Sequence, residues 1–238
     1  MTSSPKLAPR QRANVLNVLN VLNVLNVLNV LAALGGRAER TLVVDQLPSL
    51  APQEVVETLR SFADARHGEP PENAGRIIPL LDHENKDVRT LAIRIVGRWK
   101  IADVKSKLAA RAARSASDAD ERLAAGHALL RIDRKAALET LQQIYDSSTN
   151  AGVHAMAVAA SAAGDADKAA GPATELLAST DQEQDAEAIF DTFVLLKNGP
   201  DHLARELAGK RLAPPIASKG IELARQSGRD LSTLTKAL

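Results

Sequence analysis

Apolar residues recur at helical spacing along most of the chain, and short polar turns interrupt them at regular intervals. In GRIIPLLDHENKDVRTLAIRIVGRW (75–99), a first helix is followed by a polar turn at 82–86 and by a second helix. Asp87 is the expected N-cap of the second helix, because its carboxylate can accept backbone N–H bonds. One face of that helix is apolar and carries Val88, Ala92, Ile95, Val96 and Trp99. The pattern predicts a helical hairpin with a buried face.

The same register recurs about every 33 residues. The matching pairs are Arg89 with Ala92, Arg122 with Ala125, His154 with Ala157, Glu187 with Phe190, and a weaker match through Lys219. Near-constant spacing of paired helices indicates stacked hairpins. Small residues are concentrated in the second helices, so enlarging Ala125 or Ala157 should destabilise the fold by about 1–3 kcal/mol. We predict an all-α, right-handed α-α superhelix, a solenoid of about five to six hairpins.

Three segments are predicted: residues 1–36 as a basic tail and a low-complexity helix, 37–75 as an irregular helical segment and linker, and 76–238 as the solenoid. Residues 14–31 are six identical copies of Asn-Val-Leu. A period of three circles a helix, so no orientation keeps every Asn exposed and every Val and Leu buried. We interpret the tract as an expanded repeat within a helix that ends at Gly35-Gly36, or alternatively as an oligomerising helix.

The hairpin sequence PLLDHENKDVRTLAIRIVG (79–97) resembles the HEAT motif. Pro79 stands in the first helix, and Asp87, Val88-Arg89 and Ala92 stand in the second. The resemblance implies a HEAT-like solenoid in which the Asp and Arg positions link neighbouring repeats. His154 and Glu187 replace the Arg in later repeats, so we expect the Asp–Arg links between neighbouring repeats to be interrupted there.

The C-terminal segment, best over Gly199–Leu238, is similar to the end of the helical-repeat region of planctomycete-type haem-binding dehydrogenase-like proteins. Those exported proteins combine a propeller, a HEAT region and a c-type haem domain. The haem motif C-x-x-C-H has no counterpart here, because the chain contains no Cys. The resemblance therefore implies a helical spacer that carries neither haem nor dehydrogenase chemistry.

The amino-acid composition and charge distribution exclude several kinds of functional site. Apolar residues make up 45% of the chain and aromatic residues 2%, which suits closely stacked helices. The net charge is +1, yet residues 86–135 hold thirteen Lys/Arg against six Asp/Glu, and residues 165–191 hold eight acids against one Lys. The absence of Cys excludes disulfides, thiolate metal sites and Cys nucleophiles. We expect a cytoplasmic protein, or a periplasmic one if it is part of the exported haem-binding family.

No phosphate-binding, dinucleotide-binding, zinc-protease or serine-hydrolase motif occurs in the sequence. We therefore expect no catalytic residue, cofactor or metal site, and the six Asn of the repeat tract argue against a membrane span. The leading interpretation is a non-catalytic scaffold or spacer that mediates protein–protein interaction. The alternatives are nucleic-acid binding by the basic face near 86–135 and a spacer fragment of the haem-binding family. The sequence singles out neither a particular partner nor an oligomeric state. The candidate partner-binding residues are Arg89, Arg94, Arg98, Lys100 and Arg122.

Overall fold

The computed structural model describes residues 24–65 and 69–238, and these residues form helices and connecting turns without strands. The predicted all-α, HEAT-like solenoid is confirmed. The chain divides into two compact units, Met1–Ile95 and Val96–Leu238. The handedness of the superhelix and the domain limits derived from the sequence stay predictions.

Short helices make up the first unit. They are α1 (24–34), α2 (Arg37–Gln46), α3 (Pro52–Asp64), the 3-10 segments Leu47–Ser49 and Ala74–Asp82, and most of α4 (Lys86–Arg98). Helix α1 contains the last residues of the Asn-Val-Leu tract, and residues 14–23 of that tract lie outside the described residues. Leu25 and Leu28 are buried, whereas Val24, Val27 and Val30 are exposed. Over these few turns the period of three keeps the Leu row inward and the Val row outward.

A buried arginine ties this unit together. Arg40 is 1% exposed, and its guanidinium donates to the carbonyl oxygens of Glu69 at 3.1 Å and Ala33 at 3.3 Å. A charged group in a core is costly unless it is hydrogen-bonded. The two bonds therefore hold the end of α1 and the segment after residue 68 against α2.

The structure makes one local prediction for the hairpin at 75–99 more specific, and it contradicts another, the predicted cap at Asp87. Its first segment, Ala74–Asp82, is a 3-10 helix with Pro79 inside it. Proline lacks an N–H, and its ring clashes with the carbonyl four residues earlier in an α-helix. The second helix begins at Lys86, and the cap is Asn85, whose Oδ1 accepts from the backbone N–H groups of Asp87 at 2.8 Å and Val88 at 3.3 Å. Asp87 itself lies within the helix.

Helical pairs form the second unit. Its helices are α5 (Lys105–Ala113), α6 (Ala119–Ile132), α7 (Arg134–Ser147), α8 (Ala151–Gly164), α9 (Ala166–Ser179), α10 (Glu183–Leu195), α11 (Gly199–Leu207), α12 (Pro214–Gln226) and α13 (Ser232–Ala237), after a 3-10 turn at Ala102–Val104. The second helices of the pairs pack in sequence, α6 on α8, α8 on α10 and α10 on α12.

The core of the second unit is built mainly from small aliphatic side chains. In α8, residues 155–160 are all buried, and four of these six residues are alanine. Phe190 and Phe193 of α10 supply the bulk that alanine lacks and pack with Leu203 and Ile216. Trp99 is buried, as we predicted. The second helices therefore form a closely packed layer from which selected side chains reach solvent.

Candidate functional site

The five predicted partner-binding residues differ in their environments. Arg94 and Lys100 are exposed, Arg89 and Arg98 are half-buried, and Arg122 is 8% exposed. Their proposed role in binding a partner stays a prediction.

Arg89, Arg122 and His154 occupy the same register in successive hairpins, and each closes the turn before its own helix. The Arg89 and Arg122 guanidiniums donate to carbonyl oxygens five to seven residues earlier, at 2.9 Å for Arg89 and 3.1 Å for the Arg122–Ser115 bond. The His154 Nε2 lies 2.7 Å from the Ser148 carbonyl oxygen. These contacts stay within one repeat, so Arg89, Arg122 and His154 stabilise the turns of their own hairpins.

Other basic residues of the 86–135 segment are also engaged inside the second unit. Arg111 forms an ion pair with Glu121, which is 2% exposed. Arg134 donates to the carbonyl oxygen of Gly164 at the end of α8. Much of the local positive charge therefore stabilises the fold.

Lys100 has a backbone role as well. Its φ is 53°, in the left-handed region, and it follows the last turn of α4. The Lys100 N–H donates to the Gly97 carbonyl at 3.2 Å, and the Ile101 N–H donates to the Val96 carbonyl at 3.0 Å. This pair of bonds is the Schellman arrangement that ends many helices, usually with glycine at the left-handed position.

A row of acidic residues runs along one side of helix α10. Glu183, Glu187 and Asp191 are spaced one turn apart, and Leu195 continues the row with 78% exposure. Burial raises the pKa of Asp191, and the nearby charge of Glu187 raises it further. We call these four residues the α10 row.

Lys219 of α12 faces this row. Its ammonium lies 3.3 Å from the Glu222 carboxylate, which forms a hydrogen bond that raises the lysine pKa, and Glu187 and Glu183 add to the effect. One lysine therefore sits among several carboxylates. The sequence indicated this surface only through the acidic balance of residues 165–191.

A cavity of about 170 Å³ lies between α8, α9 and α10. Its apolar lining is Ala151, Ala155, Leu176 and Ile189, and its polar lining is Ser179, Thr180, Asp181, Gln182 and Asp185. Burial raises the pKa of the Asp185 carboxyl, and the charge of Arg122 opposes the rise. We call this space the Asp185 cavity.

Gly152 brings Arg122 and Asp185 close together. A Cβ on Gly152 would lie 3.0 Å from the Arg122 Nη2 and 3.4 Å from the Asp185 Oδ1. Three second helices therefore contribute to this corner: α6 with the guanidinium, α8 with the glycine and α10 with the carboxylate. In the sequence, Asp185 belongs to an acidic group ahead of a second helix, which predicts a favourable interaction with the helix N-terminus and does not mark it as a binding residue.

Among the described residues, no group of three or more His, Cys, Asp or Glu side chains is arranged to hold a metal ion. None of the described helices combines the length and apolar composition that crossing a bilayer requires.

Residues 75–162 match the family described as HEAT repeats. The matched segment runs from the 3-10 helix at Ala74–Asp82 to the last turn of α8. No curated protein matches the chain. The match supports a HEAT-repeat protein, and HEAT repeats generally act as scaffolds for protein interaction.

Proposed function

We propose that this chain is a non-catalytic HEAT-repeat scaffold that binds another protein through the exposed surface of α10 and α12. The α10 row carries the proposal. It presents three carboxylates one turn apart and ends in an exposed leucine, with Lys219 as the neighbouring cation. A partner segment with basic residues and one apolar anchor complements this surface in both charge and apolar area.

Nucleic-acid binding through the basic 86–135 segment has weaker support. Phosphate binding needs Lys and Arg side chains that are available to replace counterions. Arg111, Arg122 and Arg134 already bond to groups inside the second unit, while Arg94 and Lys100 are exposed. A spacer role in the exported haem-binding family draws on the similarity of Gly199–Leu238.

A peptide-display selection against the immobilised full chain tests the proposal. Enriched peptides are then measured by calorimetry against the wild-type protein and against a variant with Glu183→Gln, Glu187→Gln and Asp191→Asn. We expect the enriched peptides to be basic and the variant to bind them at least about tenfold more weakly, since surface charge pairs act together.

The matched control carries Glu139→Gln and Glu175→Gln, which remove exposed carboxylates from the first helices α7 and α9. It should bind like the wild type. Equal losses of peptide affinity in both variants would show that net charge alone attracts the peptides, and would contradict the proposed surface. Retention of duplex DNA at low salt, with no peptide enriched, would favour the nucleic-acid alternative.

A further inference from the structure

We infer that the Asp185 cavity binds a lysine side chain of the partner protein. The inference rests on the proposed scaffold function, because the lysine belongs to a protein partner. It adds a defined subsite beside the α10 row and names the side chain that occupies it.

The lining suits an alkylammonium group. Ala155, Leu176 and Ile189 form walls along which four methylene groups can lie, and burial of these methylene groups favours binding. The volume of about 170 Å³ equals the share of about five or six water molecules at ~30 Å³ each. A single extended side chain therefore fits.

The polar end of the cavity offers hydrogen-bond acceptors. The Ser179 hydroxyl donates to the Leu176 carbonyl at 3.2 Å, and the Thr180 hydroxyl oxygen accepts from the Gln182 N–H at 3.1 Å. Each hydroxyl oxygen keeps a lone pair for a further donor. An ammonium group carries three donors on a compact head, which matches the Asp185 carboxylate and the two hydroxyls. The second carboxylate of the lining, that of Asp181, is exposed and accepts from the Gln182 side-chain amide at 2.7 Å.

Asp185 is the group that needs a cation. Among the described residues its carboxylate has no hydrogen-bond or ion-pair partner, although it is half-buried. Arg122 lies at the same corner, and its charge acts on Asp185, but its hydrogen bonds go to the turn before α6 and it forms no ion pair with the Asp185 carboxylate. A partly desolvated carboxylate with apolar walls gains more from an incoming ammonium than an exposed carboxylate does.

Methyl NMR of the full chain tests the subsite with small probes. The probes are n-butylammonium, which reproduces the lysine side chain, and N-butylacetamide, which keeps the alkyl stem without the charge. We expect butylammonium to shift the methyl signals of Leu176 and Ile189 in a saturable way, and N-butylacetamide to leave them unchanged.

Three variants separate the cavity from general acidity. Asp185→Asn should weaken butylammonium binding at least about tenfold, because the charge pair is lost in a partly desolvated site. Ala151→Leu should block the cavity without any change of charge. Glu175→Gln removes an exposed carboxylate one position before Leu176, outside the cavity lining, and should leave binding unchanged. The dispersed methyl spectrum verifies that each variant is folded.

Binding that survives Asp185→Asn, or equal shifts with N-butylacetamide, would overturn the assignment. Equal weakening by Asp185→Asn and Glu175→Gln would also overturn it, since net charge would then explain the binding. These probes need no protein partner. Failure here therefore removes the lysine subsite alone, whereas failure of the peptide selection removes the proposed function.

Discussion

Gly126 of α6 lies directly against Ala160 of α8, so that a Cβ added to the glycine would sit 2.7 Å from the Cβ of Ala160. Real Cβ atoms do not approach so closely, and the two helices would have to move apart. Gly126→Ala should therefore destabilise the protein by about 1–3 kcal/mol through overpacking, even though alanine is the better helix former. Thermal or denaturant unfolding measures the difference.

Gly75 provides the matched control. It lies within the 3-10 helix at Ala74–Asp82, and apart from its chain neighbours and its own helix backbone, no atom of the described residues lies within 4 Å of the position that its Cβ would take. Gly75→Ala should stabilise the protein by about 0.5–1 kcal/mol, because the unfolded chain loses conformational freedom. Equal effects of the two substitutions would show that the contact between α6 and α8 is looser than the structure indicates.

The spacing of apolar residues predicted much of this fold. The recurring register through Arg89, Arg122 and His154 identified the second helices, and their small residues indicated close packing. The sequence pattern did not predict that the segment around Pro79 is a 3-10 helix. It also did not identify Asn85 as the cap, because several polar residues of one turn can fill that role. Such a choice depends on backbone geometry that a periodic pattern does not specify.

The Asp185 cavity was harder to predict than the fold. At its Asp185 end, Arg122, Gly152 and Asp185, which lie about thirty residues apart in successive second helices, meet at one corner. Repeat spacing places these residues in neighbouring hairpins, but the approach depends on how the helices stack. The candidate partner-binding residues chosen from the sequence were all basic, and Arg122 is one of those that the fold itself uses.

Arg122 should be required for stability. Its guanidinium donates to two carbonyl groups of the turn before α6, and the side chain is largely buried. Arg122→Met keeps much of the side-chain volume and removes charge-assisted hydrogen bonds that contribute about 1.5–3 kcal/mol. Denaturant unfolding should show a loss of that size.

Arg131 on the same helix is exposed, so Arg131→Met tests the same chemical change without the turn contacts. Its stability should stay within about 0.5 kcal/mol of the wild type. If Arg122→Met were as mild as Arg131→Met, the turn bonds would contribute nothing measurable.

Lys100 should be replaceable by glycine with a gain in stability. Its φ of 53° strains a residue that carries a Cβ, and glycine relieves that strain. Lys100→Gly should stabilise the protein by about 1 kcal/mol, measured as a higher midpoint of denaturant unfolding. Lys100→Ala removes the same charge but keeps the Cβ, so a gain of equal size there would assign the effect to charge and contradict the backbone argument.

Asp185 and Asp167 should respond to pH with opposite signs. Burial raises the pKa of Asp185 above its ordinary 3.8, so the folded state binds its proton more tightly than the unfolded state does. The contribution of Asp185 to stability therefore falls as the pH rises from the ordinary pKa through the higher pKa of the folded state. Asp185→Asn should have a higher melting temperature than the wild type at about pH 7, and the gap should close at about pH 3.

For Asp167 the hydrogen bond from Arg205 is the main cause that lowers the pKa, with the Arg205 Nη2 2.6 Å from the Asp167 Oδ1. The unfolded state then binds the proton more tightly, so the stabilisation is present at neutral pH and is lost as the pH falls through the folded-state pKa. Asp167→Asn should melt below the wild type at about pH 7 and approach it on acidification. Parallel pH profiles for the two variants would contradict both assignments, because burial of Asp185 disfavours its charged form whereas the Arg205 bond to Asp167 favours it.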